Sequence, residues 1–318
     1  MLFIYDSDVN ERFPTVGIIG AGQLSRMMVA PAIALGVNLL LFAQDEEDSA
    51  AQIAPHVVGD YRNLSQLLEF AKQCDLITFE HQLVPLSVIK GLEVAGVKVF
   101  PRSQTFQSSQ DKAALREKLI DFESEIAVMV ARSEHGQATS WAPTQLVKSD
   151  GICTLTITPA PVISSSVAEQ AQHLALSIAE EISLIGVMTV EIFVKADQLF
   201  VNELVMSPHY SGNWTIEGSR TSQFEQLLRA TLDLPLGDPT MTAPFAVVGS
   251  VLGGEKRDMY RPYLHLMARN PELKFHQYKK EVHKGRNIGH ITVIGKNLSE
   301  LTEIVEHARD YMSGKIDE

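Results

Sequence analysis

Short apolar runs alternate with amphipathic stretches along the first third of the chain. The pattern predicts strands at 15–19, 37–42, 75–79 and 97–100, and helices at 23–35, 64–72 and 85–95. A turn formed by Gly20, Ala21 and Gly22 joins the first strand to the first helix. This order of strand, turn, helix and strand predicts a parallel sheet that takes ligands at the carboxyl ends of its strands.

The rest of the chain has a higher strand content. Apolar runs predict strands at 125–131, 141–147, 152–157, 188–194, 199–204, 246–252, 275–278, 281–283 and 289–294. Helical spacing predicts helices at 108–119, 166–184, 222–232, 259–268 and 298–312. Proline and glycine turn signals at 234–239 mark a boundary, and we predict units at 1–107, 108–238 and 239–318.

Two of the predicted strands carry carboxylates in apolar surroundings. Glu191 interrupts one run, and Asn202 and Glu203 interrupt the next. A buried carboxylate is costly unless it is paired or holds a metal. A three-residue loop between the strands would place Glu191 and Glu203 on one face, about 7–8 Å apart, whereas a two-residue loop would separate their faces. We predict that the two carboxylates share a magnesium-type site, since oxygen ligands suit that ion. Two solvated strand-edge glutamates are the alternative.

Composition narrows the class of protein. The 318 residues are 45% hydrophobic and 21% charged, an ordinary balance for two or three globular domains. The net charge of −12 argues against a nucleic-acid-binding surface. No apolar run is long enough for a membrane span, and the first residues do not resemble a signal peptide. Two cysteines fit a reducing cytoplasm.

Several motifs together resemble one enzyme family. They are GAGQLSRM at 20–27, TFEHQLVP at 78–85, SSQDKAALREKL at 108–119, NELVMSPHYSGNWTIEGSRTSQFEQ at 202–226 and KKEVHKGRNIGHITV at 279–293. In this order they resemble the 5-(carboxyamino)imidazole ribonucleotide synthases, which are ATP-grasp ligases of purine biosynthesis. The resemblance implies an α/β protein with a Rossmann-like pre-ATP-grasp domain, a reduced ATP-grasp core and a small β-rich C-terminal domain. It also implies carboxylation of 5-aminoimidazole ribonucleotide with ATP, magnesium and bicarbonate, by a homodimer.

The resemblance assigns roles to individual residues. The catalytic group would be His209, Lys280 and Arg286. The ATP contacts would be Lys112, Glu125, Lys148, Asn202 and Glu203. The substrate contacts would be Gly20, Gly22, Gln23, Leu24, Glu80 and Ser211, and the metal ligands would be Glu191 and Glu203. We predict that residues 20–23, Glu80 and Arg286 border one cleft that takes the ribonucleotide.

The chain also departs from the family pattern. Ser207 stands where the family has arginine, Tyr210 where it has asparagine, and Asn213 where it has a second histidine. The segment that forms the small ATP-binding subdomain in the family has no counterpart between Ile120 and Asp121, so either the protein has lost this subdomain or the sequence lacks a segment of it. We therefore expect weak ATP binding and little turnover. A remnant that keeps the ribonucleotide pocket or a dimer interface is one alternative, and a dinucleotide-dependent oxidoreductase, based only on the glycine turn, is another.

Overall fold

The structure, a computed structural model, describes residues 12–113, 122–149, 151–254 and 258–316, without the side chains of 109–113. Its helices are α1 Gln23–Leu35, α2 Leu64–Ala71, α3 Leu86–Val94, α4 Ser103–Ala113, α5 Ser165–Glu181, α6 Thr215–Gly218, α7 Gln223–Thr231, α8 Arg261–Arg269 and α9 Leu298–Ser313. Its strands are β1 Thr15–Ile19, β2 Asn38–Ala43, β3 His56–Val58, β4 Leu76–Phe79, β5 Ser124–Arg132, β6 Ala138–Ser140, β7 Thr144–Ser149, β8 Ile152–Thr158, β9 Gly186–Lys195, β10 Gln198–Val205, β11 Phe245–Leu252, β12 Lys274–Gln277 and β13 Asn287–Gly295.

The first part of the chain forms a parallel sheet in the order β3-β2-β1-β4. Ile19, the last residue of β1, pairs with Phe42 of β2 and Phe79 of β4, so these strands end at the same edge. This confirms the predicted Rossmann-like unit. The strand predicted at 97–100 is reduced to a single bridge between Val99 and Ile77.

The second sheet has nine strands and runs through most of the remaining chain. Its order is β10-β9-β5-β7-β8-β11-β13-β12, and β6 pairs with β5 at the side. The C-terminal strands join it where β11 pairs with β8, for example Val248 with Thr156. The regions predicted as 108–238 and 239–318 therefore share a continuous sheet, and the boundary between them stays a prediction.

One hydrophobic core cluster links the two sheets. It contains Ile19 and Phe79 from the parallel sheet together with Ile126 and Val190 from the larger one. Burial of such side chains is the main favourable term in folding. The two sheets are consequently held in a fixed relation by shared apolar packing.

Helix α7 follows the sequence pattern closely. The Ser222 hydroxyl accepts a hydrogen bond of 3.2 Å from the Glu225 amide, which caps the first turn. Phe224, Leu227 and Leu228 on its inner stripe are buried. The helix predicted at 222–232 is confirmed, with Ser222 as its cap.

Two further element predictions were wrong. Residues 281–283 form no strand, because this segment folds back on Gly253, whose amide donates to the Arg286 carbonyl at 2.8 Å. Helix α4 begins at Ser103 rather than at 108, because the Glu93 carboxylate accepts from the Ser103 amide at 2.7 Å and holds the first turn. Within the described ranges, every helix is too short or too polar to cross a membrane.

Candidate active site

The hairpin of β9 and β10 brings Glu191 and Glu203 together by a route that differs from the predicted one. Its turn has two residues, Ala196 and Asp197, both with positive φ, as a tight hairpin turn requires. A β-bulge between Val201 and Glu203 then shifts the register by one residue, and Glu203 lies directly opposite Glu191. The expectation that a two-residue loop would separate the faces was wrong, because the bulge restores the shared face.

Strand β5 adds a third carboxylate to this face. Ala127 is the partner of Glu191 on β5, so Glu125, two residues away, points to the same side of the sheet. The Asn202 side-chain amide contacts both Glu125 and Glu191 at 3.4 Å. The Lys148 ammonium donates to the Glu125 carboxylate at 2.7 Å. We call Glu125, Glu191, Asn202, Glu203 and Lys148 the carboxylate cluster.

The segment after β10 lies over this cluster. The Tyr210 hydroxyl donates to a Glu191 carboxylate oxygen at 3.3 Å, and His209 Nε2 is 3.6 Å from the same oxygen. His209 Nδ1 is hydrogen-bonded to the Ser211 hydroxyl at 2.8 Å. A buried amide, Gln223, accepts from the His209 amide at 3.0 Å and donates to the His209 carbonyl at 2.7 Å. Two backbone bonds therefore fix the position of His209.

Burial and like charge shape the protonation of this site. Burial raises the pKa of Glu191 to about 7, and the charges of Glu125 and Glu203 add to the rise, whereas Lys148 opposes it. Burial and the Lys148 charge lower the pKa of His209 to about 3. His209 is therefore neutral near pH 7, and its contact with Glu191 is not an ion pair.

The cluster fits a magnesium ion only with help from a ligand. Glu191 and Glu203 carry hard oxygen donors, whereas the Asn202 amide turns its nitrogen toward Glu191 and would have to rotate to offer its oxygen. Within the part of the chain that the structure describes, no group of three or more His, Cys, Asp or Glu residues is arranged to hold a metal. Magnesium commonly takes one or two carboxylates and completes its shell with phosphate oxygens and water. The geometry is therefore suited to an ion that arrives with a nucleotide.

The glycine turn after β1 forms a second site, around Glu80 at the end of β4. The Glu80 carboxylate accepts hydrogen bonds from the amides of Gly22 at 2.5 Å, Leu24 at 3.0 Å and Ser25 at 3.5 Å. A Cβ on Gly22 would collide with this carboxylate, so glycine is required by the close approach. The backbone donors at the start of α1 are thus filled by the protein itself.

Cations border this glycine-turn site. The Lys280 ammonium donates to the Gln23 side-chain oxygen. Burial lowers the pKa of Lys280, and the nearby charge of Arg286 lowers it further, whereas Glu80 raises it. Lys280 also lines a cavity of about 610 Å³ together with Arg26 and Tyr263. Lys280 therefore adjoins both Gln23 and this cavity, and Arg286 lies close enough for its charge to act on Lys280.

The departures from the family pattern have different surroundings. Ser207 is buried, and its hydroxyl donates to the neighbouring Pro208 carbonyl at 3.2 Å. The Asn213 amide points inward and contacts the Tyr278 hydroxyl at 3.3 Å and His290 Nδ1 at 3.4 Å. Of the three substituted positions, Tyr210 is the one that reaches Glu191.

Most candidate residues therefore gather at two places. The first place holds the carboxylate cluster and, beside it, His209 and Ser211. The glycine-turn site collects Gly20, Gly22, Gln23, Leu24, Glu80, Lys280 and Arg286. The Lys112 side chain and the junction between Ile120 and Asp121 lie outside the described residues. Sequence reasoning missed Tyr210 as a partner of Glu191, and it gave no role to Gln223, which holds His209.

Comparisons with known proteins agree with the family resemblance of the sequence motifs. The chain matches the ribonucleotide synthetase preATP-grasp domain over residues 13–110, the ATP-grasp domain over 92–224 and the phosphoribosylaminoimidazole carboxylase C-terminal domain over 246–304. A crystal structure of N5-carboxyaminoimidazole synthase from Aspergillus clavatus, in complex with ADP and 5-aminoimidazole ribonucleotide, is 25% identical with a TM-score of 0.84. The structural alignment covers 96% of this chain and 100% of the Aspergillus clavatus chain.

Curated relatives are more similar in sequence. The N5-carboxyaminoimidazole ribonucleotide synthase of Mycobacterium tuberculosis (strain ATCC 25618 / H37Rv) is 34% identical over 377 aligned positions, covering 94% of this chain and 88% of the relative. The protein of the same name from Corynebacterium ammoniagenes is 30% identical, covering 94% of this chain and 92% of the relative. By this identity and coverage, the chain belongs to the N5-carboxyaminoimidazole ribonucleotide synthase family.

Proposed function

We propose that this chain is an ATP-dependent carbon–nitrogen ligase that carboxylates 5-aminoimidazole ribonucleotide in purine biosynthesis. A bicarbonate oxygen attacks the γ-phosphorus of ATP and ADP leaves, which gives carboxyphosphate. The substrate amine then attacks the carboxyl carbon, and phosphate leaves. The observation that carries the proposal is the gathering of Glu125, Glu191 and Glu203 on one sheet face, in a chain of this family. Glu125 and Glu191 are buried, and crowded carboxylates with a perturbed pKa are typical of functional sites.

The carboxylate cluster is the proposed nucleotide side of the reaction. Glu191, Glu203 and the Asn202 oxygen would hold magnesium, which supplies neutralisation of the negative charge that develops on the transferred phosphate. Glu125 and Lys148 adjoin this position at 2.7 Å from each other. His209, neutral and fixed by Gln223, lies where it can donate or accept a hydrogen bond without adding charge.

The glycine-turn site is the proposed ribonucleotide side. Because Glu80 already accepts from the amides at the start of α1, those amides are not available to a substrate phosphate. We propose that Lys280 and Arg286 hold the phosphate instead, since arginine can grip it at two points. Gln23, bonded to Lys280, then orients the rest of the ribonucleotide.

The same observation disfavours a dinucleotide-dependent oxidoreductase. That fold places the cofactor pyrophosphate on the amides at the start of the first helix. Here the Glu80 carboxylate stands at those amides and would repel a pyrophosphate. The family matches also lie with ligases rather than with oxidoreductases.

We propose further that this chain is slow or inactive by itself. In the sequence, ten residues separate the end of α4 at Ala113 from the start of β5 at Ser124, where the family pattern has the small ATP-binding subdomain. The alignment with the Mycobacterium tuberculosis relative extends over 377 positions, more than the 318 residues present here. ATP-grasp chemistry closes a nucleotide between two subdomains to exclude water.

Phosphate release tests the activity. The purified chain is incubated with ATP, magnesium, bicarbonate and 5-aminoimidazole ribonucleotide, with the substrate omitted as control. We expect substrate-dependent release far below about one per second, the low end of ordinary turnover. A second chain carries the central segment of the Mycobacterium tuberculosis relative inserted between Ile120 and Asp121, and we expect activity to return. Full turnover by the unmodified chain would contradict the proposed defect. If both chains bind the ribonucleotide but neither releases phosphate, the result would favour the alternative of a non-enzymatic remnant that keeps the ribonucleotide pocket.

Magnesium, bicarbonate, the homodimer and the cytoplasmic location stay predictions. The exposed apolar side chains Tyr260 and Leu264, 76% and 71% accessible around the start of α8, support a self-association surface. Light scattering of the purified chain measures the assembly, and a monomer at micromolar concentration would contradict the homodimer.

A further inference from the structure

The cavity beside Lys280 lies next to the glycine-turn site but has a different wall. Its volume is about 610 Å³, and it is lined by α1, the start of α8, β12 and the segment after β12. Gln23, Glu80 and Arg286 do not line it. Lys280 is shared, and its ammonium turns toward the Gln23 side chain. A volume of this order is typical of small-molecule sites.

Positive charge collects on the wall of this cavity. Arg26, Lys279 and Lys280 all line it, and none of the Asp or Glu residues that the structure describes does so. In the described ranges, none of the three cations makes a salt bridge. This is unusual in a chain with a net charge of −12. Like charges repel one another, so the wall is suited to an anionic ligand.

Arg26 is held in a position to bind an anion. It is half-buried on α1, and burial lowers the pKa of its guanidinium. One of its amino groups donates to the Ser49 carbonyl at 2.5 Å, and the structure gives its other N–H groups no acceptor among the described residues. A guanidinium has five N–H donors and can grip a phosphate at two points. The bond to Ser49 therefore fixes Arg26 while donors remain for a ligand.

Lys279 reaches the same wall through an uncommon backbone conformation. Its φ is +55°, in the left-handed region that residues with a side chain rarely adopt. The Gln52 side-chain amide donates to the Lys279 carbonyl at 3.1 Å, and the Ser49 hydroxyl donates to the Tyr278 carbonyl at 2.5 Å. These bonds hold the turn against the loop after β2. Because such conformations cluster at ligand sites, Lys279 is a second and independent sign of a binding site.

Aromatic and apolar side chains line the rest of the cavity. The rings of Tyr263 and Phe275 are 4.5 Å apart and lie at 36° to each other. Met27 and Val282 add apolar surface. Aromatic rings and methionine pack well against a planar heterocycle. Together with the cations, this surface complements a ligand that carries both a ring and a phosphate.

We propose that this cavity is an effector site for a nucleoside monophosphate, with its phosphate on Arg26 and Lys279 and its base against Tyr263 and Phe275. One phosphate group carries nearly two negative charges, which balances these two cations. The ammonium of Lys280 is then drawn from Gln23 toward the bound phosphate.

The shared lysine couples this effector site to the proposed ribonucleotide side. An effector that draws Lys280 away weakens the binding of 5-aminoimidazole ribonucleotide, and by linkage the ribonucleotide weakens binding of the effector. The coupling rests on the proposed function, because it requires the ribonucleotide to bind near Gln23. The effector site itself rests on the cavity alone.

Calorimetry with the full chain tests the effector site. Adenosine monophosphate (AMP) is the probe, and adenosine and inorganic phosphate are its two parts. We expect AMP to bind at least about tenfold more tightly than either part, because ring and phosphate are held together. Arg26→Gln and Tyr263→Leu should each weaken AMP binding by about tenfold, through loss of a charged hydrogen bond and of a ring contact.

Three further variants serve as controls. Glu191→Gln alters the carboxylate cluster, and it detects AMP that binds on the nucleotide side instead. Arg102→Gln is the matched control for Arg26→Gln, since Arg102 pairs with Glu134 at the surface. Arg26→Lys keeps the charge and should retain part of the AMP affinity. Melting curves verify that each variant is folded.

A second titration measures the coupling. The affinity for 5-aminoimidazole ribonucleotide is determined with and without saturating AMP, and we expect AMP to weaken it by about fivefold or more in the unchanged chain. In Arg26→Gln the effect of AMP should disappear, while binding of the ribonucleotide without AMP stays unchanged. Arg26 has no part in the proposed ribonucleotide side, so this variant separates the two sites.

Each outcome supports or overturns the effector site. Weaker AMP binding in both cavity variants, with no change in Glu191→Gln, would support it. No binding of AMP, equal affinity for AMP and inorganic phosphate, or AMP binding that Glu191→Gln alone weakens would overturn it. Loss of ribonucleotide affinity in Arg26→Gln without AMP would also overturn it, because the cavity would then belong to the ribonucleotide side. The phosphate-release assay, which needs no cavity variant, tests the ligase function separately.

Discussion

Glu80, directly after β4, and Glu191, within β9, are both buried carboxylates, yet their surroundings are opposite in character. Glu80 accepts from backbone amides at the start of α1, which are held in place by the fold. Glu191 is surrounded by side chains, including two further carboxylates. Burial raises the pKa of both groups. The amides oppose that rise at Glu80, whereas Glu125 and Glu203 add to it at Glu191.

The difference fits a structural contribution of Glu80 and the proposed ligand site at Glu191. At Glu80 the protein supplies its own donors, so the site is complete before any substrate binds. At Glu191 the neighbouring carboxylates repel one another, and the Lys148 ammonium, which is bonded to Glu125, relieves part of that repulsion. A bound cation would relieve more of it. The four predictions below test this contrast, from the largest expected effect to the smallest.

Glu80→Ala should be the most damaging change. It leaves a cavity and removes the acceptor for the amides of Gly22 and Leu24, and we expect a loss of about 2–4 kcal/mol in the free energy of unfolding. Denaturant unfolding measures it. Glu93→Ala is the control, because Glu93 also holds a helix start, at Ser103, from a less buried position. Equal losses in the two variants would contradict a special role for the glycine-turn site.

The pH dependence of stability should identify Glu191. Its pKa in the folded chain, about 7, is above the ordinary value of 4.5, so the folded state binds more protons between these values. The stabilisation is fully present below pH 4.5 and is lost as pH rises through 7, by at most about 3 kcal/mol. Glu191→Gln resembles the protonated acid and should escape this loss. Parallel stability curves for the two proteins between pH 5 and pH 8 would refute the prediction.

Gly22→Ala should cost about 1–2 kcal/mol through its collision with the Glu80 carboxylate. In the Glu80→Ala background the collision partner is absent, and the same change should cost much less. A double-mutant cycle of unfolding free energies measures this coupling. Additive effects would mean that the glycine is needed for another reason.

The His209 side chain should show no change of charge between pH 5 and pH 8. Its pKa is lowered to about 3, so nuclear magnetic resonance of the ring should find one neutral state from pH 5 to pH 8. His56, whose pKa is raised by its bond to Glu46, is the internal control and should titrate above 6.5. A His209 midpoint near 6.5 would mean that the site is wetter or more negative than described.

Local patterns predicted the elements well where burial and capping act within a few residues. The first strand and helix were predicted with the bounds observed, and the Ser222 cap and the apolar stripe of α7 are present. Motifs predicted the family and named most residues of the two sites. The strand predicted at 281–283 failed because its conformation is decided by a distant residue, Gly253.

What the sequence by itself determined is the kind of element at each place, the family, and the chemical types available at the candidate sites. Only the tertiary structure decided which of these side chains come into contact. The bulge at Asn202 set the register that brings Glu203 opposite Glu191, and the fold delivered the Glu80 carboxylate to the amides near Gly22. Both outcomes depend on contacts between residues distant in the chain or on a single inserted strand residue. Periodicity reports which face of an element is apolar, but it contains no information about which partner that face will meet.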